Sequence, residues 1–400
     1  MKVLFINSVC GFGSTGKIVV DLYNFCNNKG AQSLICYGRK NNNLKNINSI
    51  KISNSFLTLI NVLFARIFDN EGLNSHISTI KLIKIIEKNK PDIIHLNNIH
   101  GYYLNFKMLF NYLKKCETPI VWTLHDCWAF TGHCAHYDYV KCNKWESGCY
   151  KCTQKHTYPV SLIFDRSKSA YKDKKEIFTR VKDMTIVTPS EWLAGEVKKS
   201  FLSSYPIKVI NNGVDLNKFC IKETDLKNRL GVKDKKIILG ICFNLYDMKG
   251  GKYLVELSKL LKADEHMVIL GLSTKEKLPE NITVLPKTNS VEQLAEIYSM
   301  ANVFVNTTLQ DTFPTVNIES LACGTPVVTF DSGGSAEIID ENTGYKVSKG
   351  DVTAMYEKIK IILADDRKIY RENCRKRAEK LYCENERFNE YIKMYEKLSY

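Results

Sequence analysis

The sequence predicts an α/β protein made of two doubly wound domains, each a parallel sheet covered by helices on both faces. Three observations carry this prediction. Short apolar, strand-like runs alternate with amphipathic stretches of helical length from the first residues onward. A charged, weakly apolar stretch from Leu216 to Lys236 interrupts the series, and the alternation then starts again. The length also fits, since 400 residues at 44% hydrophobic composition can fill two ordinary cores.

In chain order, the first series places strands at Lys2 to Val9, Ser33 to Gly38, Asp92 to Asn97, Ile120 to Leu124, Thr185 to Thr188 and Lys208 to Ile210. Between them, Phe56 to Phe68 is hydrophobic on nearly all sides, the pattern of a buried helix. The second series places strands at Ile237 to Phe243, His266 to Gly271, Ile282 to Leu285, Val303 to Asn306 and Val327 to Phe330. The expected domains are therefore residues 1–215 and 216–385. Residues 386–400 carry Phe388, Tyr391, Ile392, Met394, Tyr395 and Leu398 at helical spacing, so this helix is expected to dock, with the first domain as candidate. Two such domains facing each other would leave a cleft at the carboxyl ends of their strands, where folds of this class bind ligands.

Composition narrows the function classes. Residues 1–215 hold 29 Lys and Arg against 16 Asp and Glu, a net of +13, whereas the rest is nearly neutral. The first half is thus suited to an acidic partner: an anionic membrane surface, a lipid pyrophosphate or a nucleic acid. A merely solvated basic surface fits equally well. Met1 to Val9 is too short an apolar run for an export signal, and no stretch reaches the roughly 20 apolar residues of a membrane span. The 14 cysteines mostly sit singly inside expected helices and strands, which points to reduced thiols and a cytoplasmic protein.

The most informative motif is DTFPTVNIE from Asp311 to Glu319, running into SLACGTPVVTF. It sets two carboxylates eight residues apart across a turn that enters a short helix. A helix start offers backbone N–H groups to phosphate, and acids beside it accept hydrogen bonds from ribose and hexose hydroxyls. Gly324 is suited to end the helix in left-handed backbone. An ordinary capped helix is the plain alternative. Earlier, Cys10-Gly11-Phe12-Gly13-Ser14-Thr15-Gly16 follows the first strand and leads to a helix starting near Lys17, with Ser14 or Thr15 as its cap. A tight turn explains this segment as well as a ligand loop does.

His125 and Asp126 close the fourth strand and would project from its carboxyl edge, where the near-neutral pKa of a histidine suits proton traffic. A cysteine-rich run follows, in which Cys134, Cys142, Cys149 and Cys152 have the count for a structural zinc site; thiols packing a long loop are the alternative. In the second domain, Phe243 to Gly251 leaves a strand and opens a helix. Lys249 there could neutralise a diphosphate leaving group.

Together these segments resemble the family 4 glycosyltransferases, the retaining, nucleotide-sugar-dependent enzymes with the GT-B arrangement of two facing Rossmann-like domains. The carriers are Asp311 to Pro326 above all, with NSVCGFGSTGKIV, IIHLNNIHGYYLN and WTLHDCWAFTGHC. These look like a subgroup assigned to exopolysaccharide, capsule or lipopolysaccharide assembly. The resemblance implies that Glu319 binds ribose, Asp311 meets the donor hexose, and Lys249 and the backbone of Pro314, Thr315 and Val316 hold the diphosphate. It also implies that Gly13 faces the diphosphate from the first domain, beside Ser14, and that His125 lies between donor and acceptor. Where relatives often have Arg a few residues before the lysine, this chain has Asn244. The implied catalytic residues are Asp311, His125 and Lys249.

The implied reaction moves a hexosyl unit to a growing glycan or lipid-linked acceptor on the inner face of the cell membrane. The donor is a nucleotide sugar. No cofactor is required for catalysis, structural zinc aside. A nucleotide-sugar epimerase or a sugar-phosphate-forming transferase fits the same fold. A basic, Cys-rich nucleic-acid-binding protein is a reading of another class; it leaves Asp311 and Glu319 unexplained and lacks aromatic stacking residues among the basic ones, so nucleic acid is not expected as a partner.

Overall fold

The computed structural model describes residues 1–42, 44, 46–288 and 290–399. The chain divides into two compact units, Met1–Ile210 together with the residues from Phe388 onward, and Asn211–Arg387.

The first unit contains β1 (Lys2–Asn7), β2 (Gln32–Tyr37), β3 (Ser49–Lys51), β4 (Ile93–Leu96), β5 (Ile120–Thr123), β6 (Met184–Thr188) and β7 (Ile207–Val209). They form one parallel sheet in the order β3-β2-β1-β4-β5-β6-β7. Every residue of β4 and β5 is buried, which is why these strands read as unbroken apolar runs. One face of the sheet packs Phe110, Trp122 and Phe178. On the other face, Phe5, Val19 and Tyr23 pack with Phe388, Tyr391 and Tyr395. Strand β3 was not expected; it is a three-residue, half-buried edge whose Ser-Ile-Lys composition carries no strand signal.

A buried polar chain fixes the residues after Phe388 in place. The His95 Nε2 lies 2.7 Å from Thr123 Oγ1, and its Nδ1 lies 2.6 Å from the Tyr395 hydroxyl. Tyr391 joins through Thr123 at 3.2 Å. Burial pushes the His95 pKa down to about 3, so the ring is neutral and both its nitrogens are satisfied.

Helix Ser55–Phe68 departs from expectation, for only Ala65 is buried. The helix is well made, since Asn54 Oδ1 accepts the Phe56 and Leu57 amides at its start. It turns one small side chain inward and most of its apolar surface outward. Hydrophobicity on every side normally signals burial, because a chain seldom gives so much apolar surface to water.

The second unit contains β8 (Lys236–Ile241), β9 (Glu265–Leu270), β10 (Ile282–Leu285), β11 (Val303–Asn306), β12 (Val327–Phe330) and β13 (Gly344–Val347). Again all pair in parallel, in the order β10-β9-β8-β11-β12-β13. Strand β13 escaped the sequence pattern because only the first and last residues of its GYKV are buried at the sheet edge. In both units the order reverses beside the first strand, between β1 and β4 and between β8 and β11. At such a switch point the loops leaving the carboxyl ends run in opposite directions and open a crevice.

No helix among the described residues is long and apolar enough to cross a membrane.

Candidate functional site

In the second unit, the loop from Cys242 to Gly250 leaves β8 and enters helix Gly251–Ser258. Its shape is set locally. Asn244 Oδ1 accepts the Tyr246 amide and Asp247 Oδ1 the Lys249 amide, both at 2.9 Å, so each acts as a side-chain-closed turn. Gly250 has φ +73°, and a Cβ there would lie 2.1 Å from the Thr307 carbonyl oxygen, so no other residue fits. The Thr307 hydroxyl donates to the carbonyls of Lys249 and Gly250, and the Leu309 amide to that of Met248 at 2.8 Å. The loop after β8 is thereby fastened to the loop after β11.

This fastening brings together two residues predicted from sequence. Lys249 Nζ lies 2.6 Å from Asp311 Oδ2, with the lysine side chain about half exposed. Burial works against the ammonium, but Asp311 outweighs it and Asp247 adds to it, so the lysine pKa stands above its ordinary value. The loop therefore presents a permanent cation. Asp311 is itself held: Oδ1 accepts the Phe313 amide at 3.2 Å, and its carbonyl accepts the Gly334 amide at 3.1 Å.

Helix Thr315–Ala322 begins directly after Pro314 and no side chain caps its start. Its first-turn amides, those of Thr315 and Val316 among them, are thus oriented for an anionic ligand. The helix is anchored from below by a buried polar chain, in which Asn306 donates to Asn317 at 2.8 Å and Asn317 to Ser335. One turn on, half-buried Glu319 accepts from the Tyr298 hydroxyl at 3.0 Å. Burial, with Glu319 beside it, holds the Tyr298 pKa well above the usual phenol range, so this tyrosine remains a donor. Gly324, at φ +76°, ends the helix as the sequence indicated. Asn244 sits in the Lys249 loop, but its carbonyl oxygen is committed to the turn. Neither Tyr298 nor the Asn306-Asn317-Ser335 chain was foreseen; these residues lie on separate elements and only the fold joins them.

In the first unit, Gly11 and Gly13 both have φ +66°, and they turn the chain so early that the helix starts at Gly13 instead of near Lys17. Phe12 occupies the cap position and no side chain caps the helix, so Ser14 and Thr15 stand inside the first turn and do not cap it. A Cβ on Gly13 would meet nothing within 4 Å, which leaves its backbone approachable.

His125 is half-buried, with Nε2 3.0 Å from Asn97 Oδ1. Burial lowers its pKa to about 4 despite Asp126, so at neutral pH it is an uncharged hydrogen-bonding ring, unlike the proton carrier the sequence suggested. Asp126 is occupied structurally. Its Oδ2 lies 2.9 Å from His100 Nε2, and its Oδ1 accepts the Trp128 amide at 2.9 Å. Burial opposes the carboxylate, but His100 outweighs it and keeps the Asp126 pKa below the usual range. His100 also reaches the Tyr158 hydroxyl at 2.8 Å. It went unrecognised, although it follows β4 by the same edge rule that singled out His125 after β5.

The zinc expectation is not met. Among the described residues no group of three or more His, Cys, Asp or Glu side chains comes together to hold a metal ion, so Cys134, Cys142, Cys149 and Cys152 do not form a site. Cys149 Sγ instead accepts the Gly132 amide at 3.1 Å. The loop supplies a core of its own: the Trp145 ring lies 5.1 Å from Phe130 and 4.9 Å from Tyr137. Lys174, buried beneath it, donates to the carbonyls of Trp128 and Thr131. The thiols also meet each other, Cys134 and Cys152 sharing a hydrogen bond with Cys149 beside them.

Residues 34–218 match the family described as Glycosyltransferase Family 4, and residues 222–381 match that described as Glycosyl transferases group 1. A protein of Escherichia coli K12 named as a colanic acid biosynthesis glycosyl transferase is 24% identical over 372 residues, 89% of this chain and 90% of its own length. The E. coli UDP-Gal:alpha-D-GlcNAc-diphosphoundecaprenol alpha-1,3-galactosyltransferase is 26% identical over 201 residues, 45% of this chain and 51% of its own. Among solved structures, sucrose-phosphate synthase from Thermosynechococcus elongatus superimposes with a TM-score of 0.73 at 18% identity, covering 99% of this chain and 98% of its own. Anabaena HepE in complex with UDP gives 0.71 at 14% identity, covering 99% and 100%. These likenesses place the fold in the GT-B class.

Proposed function

For a chain that belongs to the family 4 glycosyltransferases, with a group 1 domain following its family 4 domain, we propose retaining transfer of a hexosyl unit from a nucleotide-diphosphate sugar. The acceptor is a growing glycan or lipid-linked glycan of surface polysaccharide biosynthesis, the process for which the E. coli relative is named. The observation that carries this reading is the Lys249–Asp311 pair standing beside an uncapped helix start at the switch point of the second sheet.

The chemistry follows from where charge moves. The bond between the anomeric carbon and the diphosphate oxygen breaks through an oxocarbenium-like state, and negative charge grows on the diphosphate. Lys249 and the amides at Thr315 and Val316 bind that charge more strongly in the transition state than in the ground state, which is how they accelerate the step. Asp311 aims the lysine, and its remaining lone pairs accept from the hexose hydroxyls. Glu319, oriented by Tyr298, accepts from the ribose. No side chain is cast as a nucleophile: the acceptor hydroxyl attacks from the face the diphosphate leaves and passes its proton to the departing phosphate oxygen. Within the first unit, Gly13, Ser14 and His125 keep the roles the resemblance implies, His125 as a neutral hydrogen-bonding group.

A thermal-shift screen against UDP-, GDP- and ADP-sugars tests the reading. One nucleotide class should raise the Tm by several degrees at a concentration of about 100 Kd, and NMR of the product should show the anomeric configuration of the donor. A flat response to all three classes would remove the proposed donor site, and an inverted product would remove the same-face mechanism.

A further inference from the structure

Helix Ser55–Phe68 leaves Phe56, Leu59, Leu63, Phe64 and Phe68 between 41% and 69% exposed, spaced to form a single stripe along the helix. The stripe continues onto a second segment. The Leu162 amide donates to the Arg66 carbonyl at 2.6 Å and the Phe164 amide to that of Ile67 at 3.3 Å, so residues 162–164 lie against the end of the helix. Leu162, Ile163 and Phe164 are each at least half exposed, and the Phe164 ring stacks 5.9 Å from Phe68. Eight contiguous apolar side chains at this exposure amount to on the order of 800 Å², above the roughly 300–600 Å² of the largest patch on a typical soluble monomer.

Cations edge this surface at both ends. Lys51 donates to Ser55 at the helix start, and Lys81 Nζ lies 2.7 Å from the Lys51 carbonyl. At the other end are exposed Arg66 and half-buried Lys155, whose Nζ lies 3.3 Å from the Ile163 carbonyl. Of the neighbouring acids, Asp69 is buried against His133 at 2.7 Å and Glu71 accepts the Gly101 amide at 2.6 Å, whereas Asp165, next to Phe164, is exposed with its oxygens taken up by the Cys152 and Ser167 amides.

We propose that this face docks on an anionic lipid bilayer, with the apolar stripe entering the boundary between headgroups and acyl chains while Lys51, Lys81, Arg66 and Lys155 meet lipid phosphates. A 14-residue helix lying in the interface accounts for these exposed apolar residues, no helix among the described residues being long and apolar enough to span. Self-association fits less well, because a two-fold contact through this face would set the same four cations against their own copies. The inference stands apart from the transfer reaction: it concerns a different surface, and its test needs neither donor nor acceptor.

The test is flotation of the full chain with vesicles of phosphatidylcholine alone or mixed with phosphatidylglycerol. Recovery should be high with the mixed vesicles and several-fold lower with neutral ones, and it should fall in about 0.5 M salt. The triple variant Leu59→Ser, Leu63→Ser, Phe164→Ser should lose binding by about tenfold or more while keeping its Tm, since the altered side chains are exposed. Lys51→Glu with Lys155→Glu should abolish the preference for anionic vesicles. Equal recovery on both vesicle types, or binding unchanged in the triple variant, would overturn the proposal. So would a concentration-dependent dimer that the triple variant dissociates, which would assign the face to a second copy.

Discussion

The two units run their strands in the same order about the first strand, yet the loops at the reversal point are furnished differently. In the second unit they carry a salt-bridged lysine and an uncapped helix start, groups whose worth lies in fixed charge. In the first unit the loop after β4 carries Asn97 and His100, which meet His125 and Asp126 from the loop after β5 among aromatic rings, groups whose worth lies in shape and hydrogen bonding. One scaffold thus serves two demands. Under the proposed transfer, the loops with fixed charge would serve the phosphate that gains charge and the loops with a neutral ring the sugar hydroxyls that do not.

Removing the cation tests this contrast most severely. Lys249→Ala should reduce kcat by about 10²- to 10³-fold, the scale of losing one preorganised charge-stabilising group. Because the pair is partly exposed, stability should change by no more than about 1 kcal/mol. Wild-type turnover in steady-state assays with the identified donor would remove the lysine from the mechanism.

Glycine comes next, since both units depend on positive φ but for different reasons. Gly250→Ala adds strained backbone to a clash with the Thr307 carbonyl, and it should cost about 3 kcal/mol or more, read as a fall of about 10 °C in melting of the second unit. Gly13→Ala meets open space, so only the backbone term remains, about 1 kcal/mol. Equal losses by denaturant titration would show that the Thr307 contact is not what fixes the Lys249 loop.

The mildest effect is expected at the ribose. Glu319→Gln keeps an acceptor but loses charge, so nucleotide affinity should weaken by about tenfold in calorimetry with kcat little altered. A change confined to kcat would reassign Glu319 to the reacting centre.

Much of this was legible in the residues. Strands buried on both faces announce themselves as apolar runs, and the half-buried edges β7 and β10 still carry Ile and Val, so eleven of the thirteen strands among the described residues stood out; β3 and β13 are short edges of more polar composition. The Asp311 to Glu319 segment was legible because turn, helix start and acids are contiguous. The Lys249–Asp311 contact is not local, as it depends on the pairing of β8 with β11. For His125, residue type suggests a near-neutral pKa, whereas burial lowers it to about 4. The cysteine spacing counted ligands, whereas the fold pairs Cys134 with Cys152 and gives Cys149 the Gly132 amide, and no metal-holding group forms among the described residues.

The residues after Phe388 carry one consequence for synthesis. They complete a core begun by β1, and Tyr395 satisfies His95, which lies three hundred positions earlier. On the ribosome, where early domains usually fold first, this unit must wait with an uncovered sheet until the second has been made. Its nascent form is the stage at which a chaperone has most to protect, and deleting residues 388–399 should harm the unit formed by residues 1–210.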